Sequence, residues 1–164
     1  MKQIITILLF TILCINSNAQ CDLPYKPLTE FGTDTVAFMT YNFTNRADYY
    51  KGKTLNKVIH DLQIPIKGFQ TSPVKLKGQL PDTDNSQGIY IYIYPYPHIQ
   101  RAMIRESILN SIYIEWENTI PENEYTKKVG EGWTQEIFDY LKDKKIESIR
   151  YTDRIRKPVR SRPL

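Results

Sequence analysis

The sequence predicts a small single α+β domain, a mainly antiparallel sheet of about five strands with two or three helices. Three observations predict it. Several short segments alternate apolar and polar residues, the period of a strand with one buried face. Two other stretches carry apolar residues at helical spacing. The chain has 164 residues, 41% hydrophobic and 24% charged, which is one domain's length and ordinary globular usage. That size and balance exclude a multidomain enzyme, a coiled coil, a collagen-like repeat and a disulfide-stapled miniprotein.

Residues 1–19 read as a signal peptide. Lys2 gives a short positive start, and residues 4–15 are almost wholly apolar. Twelve helical residues rise about 18 Å, too short for a bilayer core of about 30 Å. Ser17 and Ala19 fill the −3 and −1 positions of a cleavage site, making Gln20 the new first residue. The expected mature chain is exported, periplasmic or extracellular, with no transmembrane segment. Cys21 stands where a lipid-acceptor cysteine would, but Asn18, Ala19 and Gln20 precede it instead of a Leu-small-small run. A lipid-anchored envelope protein is the lesser alternative. Cys14 leaves with the signal, so the mature chain has no intrachain disulfide.

Residues 20–34, with Pro24 and Pro27, form an extended lead-in to a domain spanning residues 35–152. Residues 35–43 are rich in β-formers and are expected as a strand. A polar loop over 45–53 follows. Leu55, Val58, Ile59 and Leu62 make one apolar helix face; Thr54 is its expected cap and Pro65 its stop. Residues 66–70 and 74–80 are expected strands, the second with Lys75 and Lys77 outward, and 81–88 an expected turn. Residues 89–94 are the clearest strand, with Ile89, Ile91 and Ile93 on one face and Tyr90, Tyr92 and Tyr94 on the other. Residues 98–110 fit helix or irregular structure. Residues 111–117 alternate again. A second helix follows Thr134, its expected cap, with Trp133 and Phe138 as a hydrophobic staple. Residues 146–152 are the last strand, and 153–164 a basic tail.

Few motifs carry chemistry. Residues 47–54 fit a loose phosphate-loop pattern ending Gly52-Lys53-Thr54, but Asp48, Tyr49 and Tyr50 crowd the cradle. Asp82, Asp84, Ser86 and Gly88 alternate like a calcium loop, yet the twelfth position is Ile93 rather than Glu. His60 and His98 stand in no ligand spacing, and no metal site, cofactor or catalytic residue is assigned. Asp34-Thr35-Val36 resembles the short Asp-Thr-aliphatic acceptor of some bacterial O-glycosylation systems.

Two features point to binding. Tyr90, Tyr92, Tyr94 and Tyr96 form an aromatic ladder suited to stacking on sugars or peptide side chains. Arg150, Arg154, Arg156, Lys157, Arg160 and Arg162 against Asp153 give residues 150–164 a net charge of +5, while residues 20–149 carry −2. Nucleic acid is an unsuitable partner outside the cytoplasm. An envelope protein, a glycan or an anionic membrane surface fits better. The expectation is an exported bacterial binding or interaction domain without catalysis. The alternative is a small envelope glycan hydrolase using a carboxylate pair such as Glu115 and Glu117.

Overall fold

A computed structural model describes residues 23–74, 82–93, 110–121 and 132–152. Its centre is an open antiparallel sheet of four strands in the order β1-β2-β3-β4, namely Gly68–Val74, Asp82–Tyr92, Ser111–Pro121 and Ile146–Thr152. The described helices are α1 (Thr35–Thr40), α2 (Ala47–Tyr50), α3 (Leu55–Leu62) and α4 (Gln135–Leu141), with a 3₁₀ turn over Leu28–Phe31 and a π turn over Tyr41–Asn45. The α+β class holds, with four strands among the described residues rather than about five.

The missing strand is the segment 35–43, which is helical. Asp34 caps α1 by accepting a hydrogen bond from Ala37 N at 2.9 Å. Phe38, Asn42, Arg46 and Tyr50 follow at steps of four, and all are buried. That stripe turns one helical face inward and outweighs the β-propensity of its residues. The expected polar loop over 45–53 is replaced in part by α2. The strand expected at 66–70 is found as β1, which runs on to Val74; of the strand expected at 74–80 all but Val74 lies outside the described residues. The expected turn at 81–88 contributes residues 82–88 to β2, whose register against β1 is irregular between Ser72 and Val74. Residues 75–81 and 94–109 lie outside the described set.

The expected Thr54 cap is also replaced. Its side chain makes no cap hydrogen bond. Leu55 N and Asn56 N instead donate to Lys144 O at 3.0 Å and Lys142 O at 2.9 Å, so the start of α3 is closed by the end of α4. Thr134 does cap α4, accepting from Ile137 N at 3.3 Å. Trp133 meets Phe69, ring centroids 5.9 Å apart and near perpendicular.

Cross-strand rows define the two faces of the sheet. Phe69, Ile91, Ile112 and Tyr151 form one row, and Thr71, Ile89, Ile114 and Ile149 the next. Against these pack Phe38, Phe43, Tyr50, Leu55, Val58, Leu62, Ile137 and Leu141. This is the core: helices on one face, burying apolar area at about 25 cal/mol per Å². No described helix is long and apolar enough to cross a membrane.

Candidate functional site

Alternation along each strand sends the intervening residues to the opposite face. There the register aligns Gln70, Tyr90, Tyr113 and Arg150 in one row across all four strands. Gly68, Tyr92, Ser111 and Thr152 form the row on one side. Ser72, Gly88, Glu115 and Ser148 form the row on the other.

The central row is an aromatic stack ended by a cation. Tyr90 and Tyr113 rings lie 4.8 Å apart, tilted by 43°. The Arg150 guanidinium sits 4.9 Å from the Tyr113 centroid, over the ring, and Arg150 itself is exposed. Tyr113 is only 9% exposed, and burial pushes its hydroxyl pKa up despite a hydrogen bond with Ser72 that favours the phenolate. Tyr92 is 8% exposed and donates to Gln70 Oε1 at 3.3 Å; burial, then the neighbouring Tyr90, pushes its pKa up to about 12. Neither tyrosine belongs to the main apolar cluster.

Gly88 makes this stack fit. A Cβ there would meet Ile114 O at 2.4 Å and Tyr113 Oη at 2.9 Å. The Tyr113 ring therefore lies across a bare backbone, which only glycine provides. Ser86, buried beside it, turns its hydroxyl to Gly88 O at 2.6 Å, with Ser72 O at 3.2 Å.

The expected tyrosine ladder thus divides. Tyr90 is half-buried in the central row, Tyr92 is buried beside it, and Tyr94 and Tyr96 lie outside the described residues. So do Cys21 and the tail cations Arg154, Arg156, Lys157, Arg160 and Arg162. Glu115 and Glu117 are separated by their surroundings. Glu115 accepts from Gln87 Nε2 and from Ser148 Oγ, the latter at 2.8 Å, so both its oxygens are engaged. Glu117 is exposed and lines a cleft of about 340 Å³ with Asn118, Thr119, Ile120 and Lys145.

A second polar cluster lies within the helical layer. Arg46, 3% exposed, donates from Nε to Leu23 O at 2.8 Å and from a terminal nitrogen to Tyr50 Oη at 3.4 Å. Tyr50 donates to Asp61 Oδ2 at 3.1 Å, and Lys57 pairs with Asp61 Oδ1 at 2.8 Å. Burial, reinforced by the Asp61 charge, raises the Tyr50 pKa strongly. The Arg46 guanidinium also lies 4.3 Å from the Tyr49 centroid and 5.6 Å from that of Tyr25. Tyr25 donates to Asp61 O at 2.9 Å, and Asn42 both donates to Lys26 O and accepts from Lys26 N. These bonds fasten the lead-in to the helices. Asp61 is paired with Lys57, and the buried Arg46 is directed at neutral protein oxygens and tyrosine rings, the pattern of a structural network.

The start of α3, where a phosphate would have to sit, already gives two N–H groups to Lys142 and Lys144 carbonyls. Ser86, one of the alternating oxygens of the loose calcium pattern, is directed at backbone carbonyls. Comparison with protein-family models, with curated proteins and with solved structures returns no match for this chain.

Proposed function

We propose that the chain is a non-catalytic, exported interaction domain that recognises an anionic glycan through the Arg150 end of the tyrosine face. One observation carries the reading. Arg150 is exposed, its guanidinium lies over the Tyr113 ring at 4.9 Å from the centroid, and it stands two residues before the end of the strand that leads into the basic tail. The contact with the ring restrains the guanidinium, so less side-chain entropy is lost when it meets an anion. Tyr90 stands one ring further along the row, an amphipathic surface suited to a sugar face. Arg154, Arg156, Lys157, Arg160 and Arg162 extend the positive charge along the chain.

The engaged oxygens of Glu115 support a binding rather than a hydrolytic reading. An acid or base needs a carboxylate oxygen free to reach its substrate.

Binding of residues 20–164 to an acidic polysaccharide, a neutral one, and vesicles with and without anionic lipid tests this. Selective binding to the acidic polysaccharide, weakened by Arg150→Ala, by truncation before Lys157 and by added salt, is the expected result. Preference for anionic vesicles makes the partner a membrane surface instead. Binding that ignores Arg150, truncation and salt overturns the reading.

A further inference from the structure

The two edges of the sheet are unequal. The outer edge of β4 is occupied. Tyr151 N donates to Thr44 Oγ1 at 3.3 Å, and Thr44 Oγ1 lies 3.4 Å from Tyr151 O. Gly52 N donates to Ile146 O at 2.7 Å, and Ile146 N donates to Lys53 O at 2.9 Å. Lys51 pairs with Glu147 across the same edge.

β1 is the other edge. Trp133 lies against Phe69 near its first residue. From residue 70 onward Gln70, Thr71, Pro73 and Val74 are half-buried, and no described backbone group pairs with the outer side. Such an edge is a template for another strand.

We propose that β1 pairs antiparallel with β1 of a second copy of this chain, joining two four-stranded sheets into one. Two facts on the strand and one on the opposite edge support this occupant. Isologous pairing sets a strand's charges against their own copies, and like charges opposite each other destabilise a pair. β1 reads Gly-Phe-Gln-Thr-Ser-Pro-Val, without a charge. β2 carries Asp82 and Asp84, β3 carries Glu115 and Glu117, and β4 carries Glu147 and Arg150. Second, head-to-tail pairing of β1 on β4 would build an open filament, and the groups on the β4 edge block it. Closure about a two-fold axis is the arrangement left. Third, Pro73 lacks an N–H and sits at a register shift, which ends the pairing after a few residues.

A contact this short buries less than the roughly 1,200 Å² of a stable interface, so the dimer is weak and concentration-dependent. With the axis at Thr71, the strand midpoint, Gln70 faces Ser72 of the second copy and lies diagonal to its own counterpart, within about 7–8 Å. Each Gln70–Tyr90–Tyr113–Arg150 row then runs into the Ser72–Gly88–Glu115–Ser148 row of the second copy, and the joined sheet presents two Arg150 ends. Self-association does not depend on whether that face binds a glycan.

Sedimentation equilibrium of residues 20–164 from micromolar to several hundred micromolar tests the proposal. The expected mass climbs towards twice the monomer. Gln70→Lys and Gln70→Glu, each checked for native circular dichroism, each raise the dissociation constant at least tenfold, and an equimolar mixture restores a heterodimer. Hydrogen exchange on the unmodified chain provides a reading that needs no variant: amide protection at residues 70–72 grows with concentration. A mass that stays monomeric throughout overturns the proposal, and so does protection that ignores concentration. So does a dimer indifferent to both folded Gln70 variants.

Discussion

The two faces of the sheet are built from the same strands and follow different rules. On the helix-covered face, Ile89, Ile91, Ile112, Ile114 and Ile149 interlock with Phe38, Phe43, Leu55 and Val58, and stability comes from volume filled. On the other face Tyr92 and Tyr113 are nearly as hidden, yet they are placed by hydrogen bonds, a ring stack and a glycine. Branched aliphatics tolerate changes of partner if volume is kept. A tyrosine stack over bare backbone depends on position as well as volume. The first face holds the fold together; the second carries exposed, oriented polar groups, and the functional reading rests there.

The largest effect belongs to the helix-covered face. Ile114→Ala removes a side chain with no solvent exposure, and a loss of about 2–5 kcal/mol is expected in urea unfolding. The comparison breaks if this substitution costs less than the changes proposed for the tyrosine face.

Alkaline titration isolates Tyr92. Its folded pKa of about 12 lies above the ordinary 10.0, so the folded state holds the proton more tightly. The contribution is complete below pH 10 and is lost as pH rises from 10 to 12, roughly 2–3 kcal/mol in all. Other buried tyrosines titrate in the same range, so the quantity to measure is the difference between the native chain and Tyr92→Phe. Unfolding curves at pH 9 and pH 11.5 should separate by less for the variant. Parallel losses would show that Tyr92 ionises as freely as a surface phenol.

Gly88→Ala tests the tyrosine stack itself. The new methyl meets a backbone oxygen at 2.4 Å, which cannot rotate away. Overpacking of this kind costs about 1–3 kcal/mol. A double variant with Tyr113→Leu would recover part of that cost if ring and glycine are coupled, but only part, since Ile114 O remains. Full additivity of the two changes would refute the coupling.

Much of this architecture was legible in the chain. The alternation of Ile89 to Tyr92 and of Ile112 to Trp116 needs only a period of two, and both strands formed with those faces. The segment 35–43 misled because its Thr, Val, Phe and Tyr favour strands, while the helical stripe includes Asn42 and Arg46, polar residues that no apolar pattern counts. Their burial is satisfied by the Lys26 and Leu23 backbones, contacts made 16 and 23 residues away. Sequence could offer only the steps of four from Phe38 to Tyr50. Likewise the tyrosine ladder was visible, but its partners were not: Tyr113 and Arg150 join Tyr90 only through strand register.

The smallest effect is expected where function is proposed. Arg150 is exposed and its contact with Tyr113 is a cation–π pair at 4.9 Å. At exposed sites such pairs contribute about 0.5–1 kcal/mol, and salt screens what else a surface cation contributes. Arg150→Ala should therefore shift unfolding by under about 1 kcal/mol while weakening acidic-glycan binding. Arg150→Lys sharpens the point, because lysine keeps the charge but loses the planar five-donor fork. If recognition depends on the restrained guanidinium, lysine restores stability more completely than it restores binding. If charge alone matters, lysine restores both. A loss near that of Ile114→Ala would place Arg150 in the structural framework, and the contrast between the faces would fail at its most exposed residue.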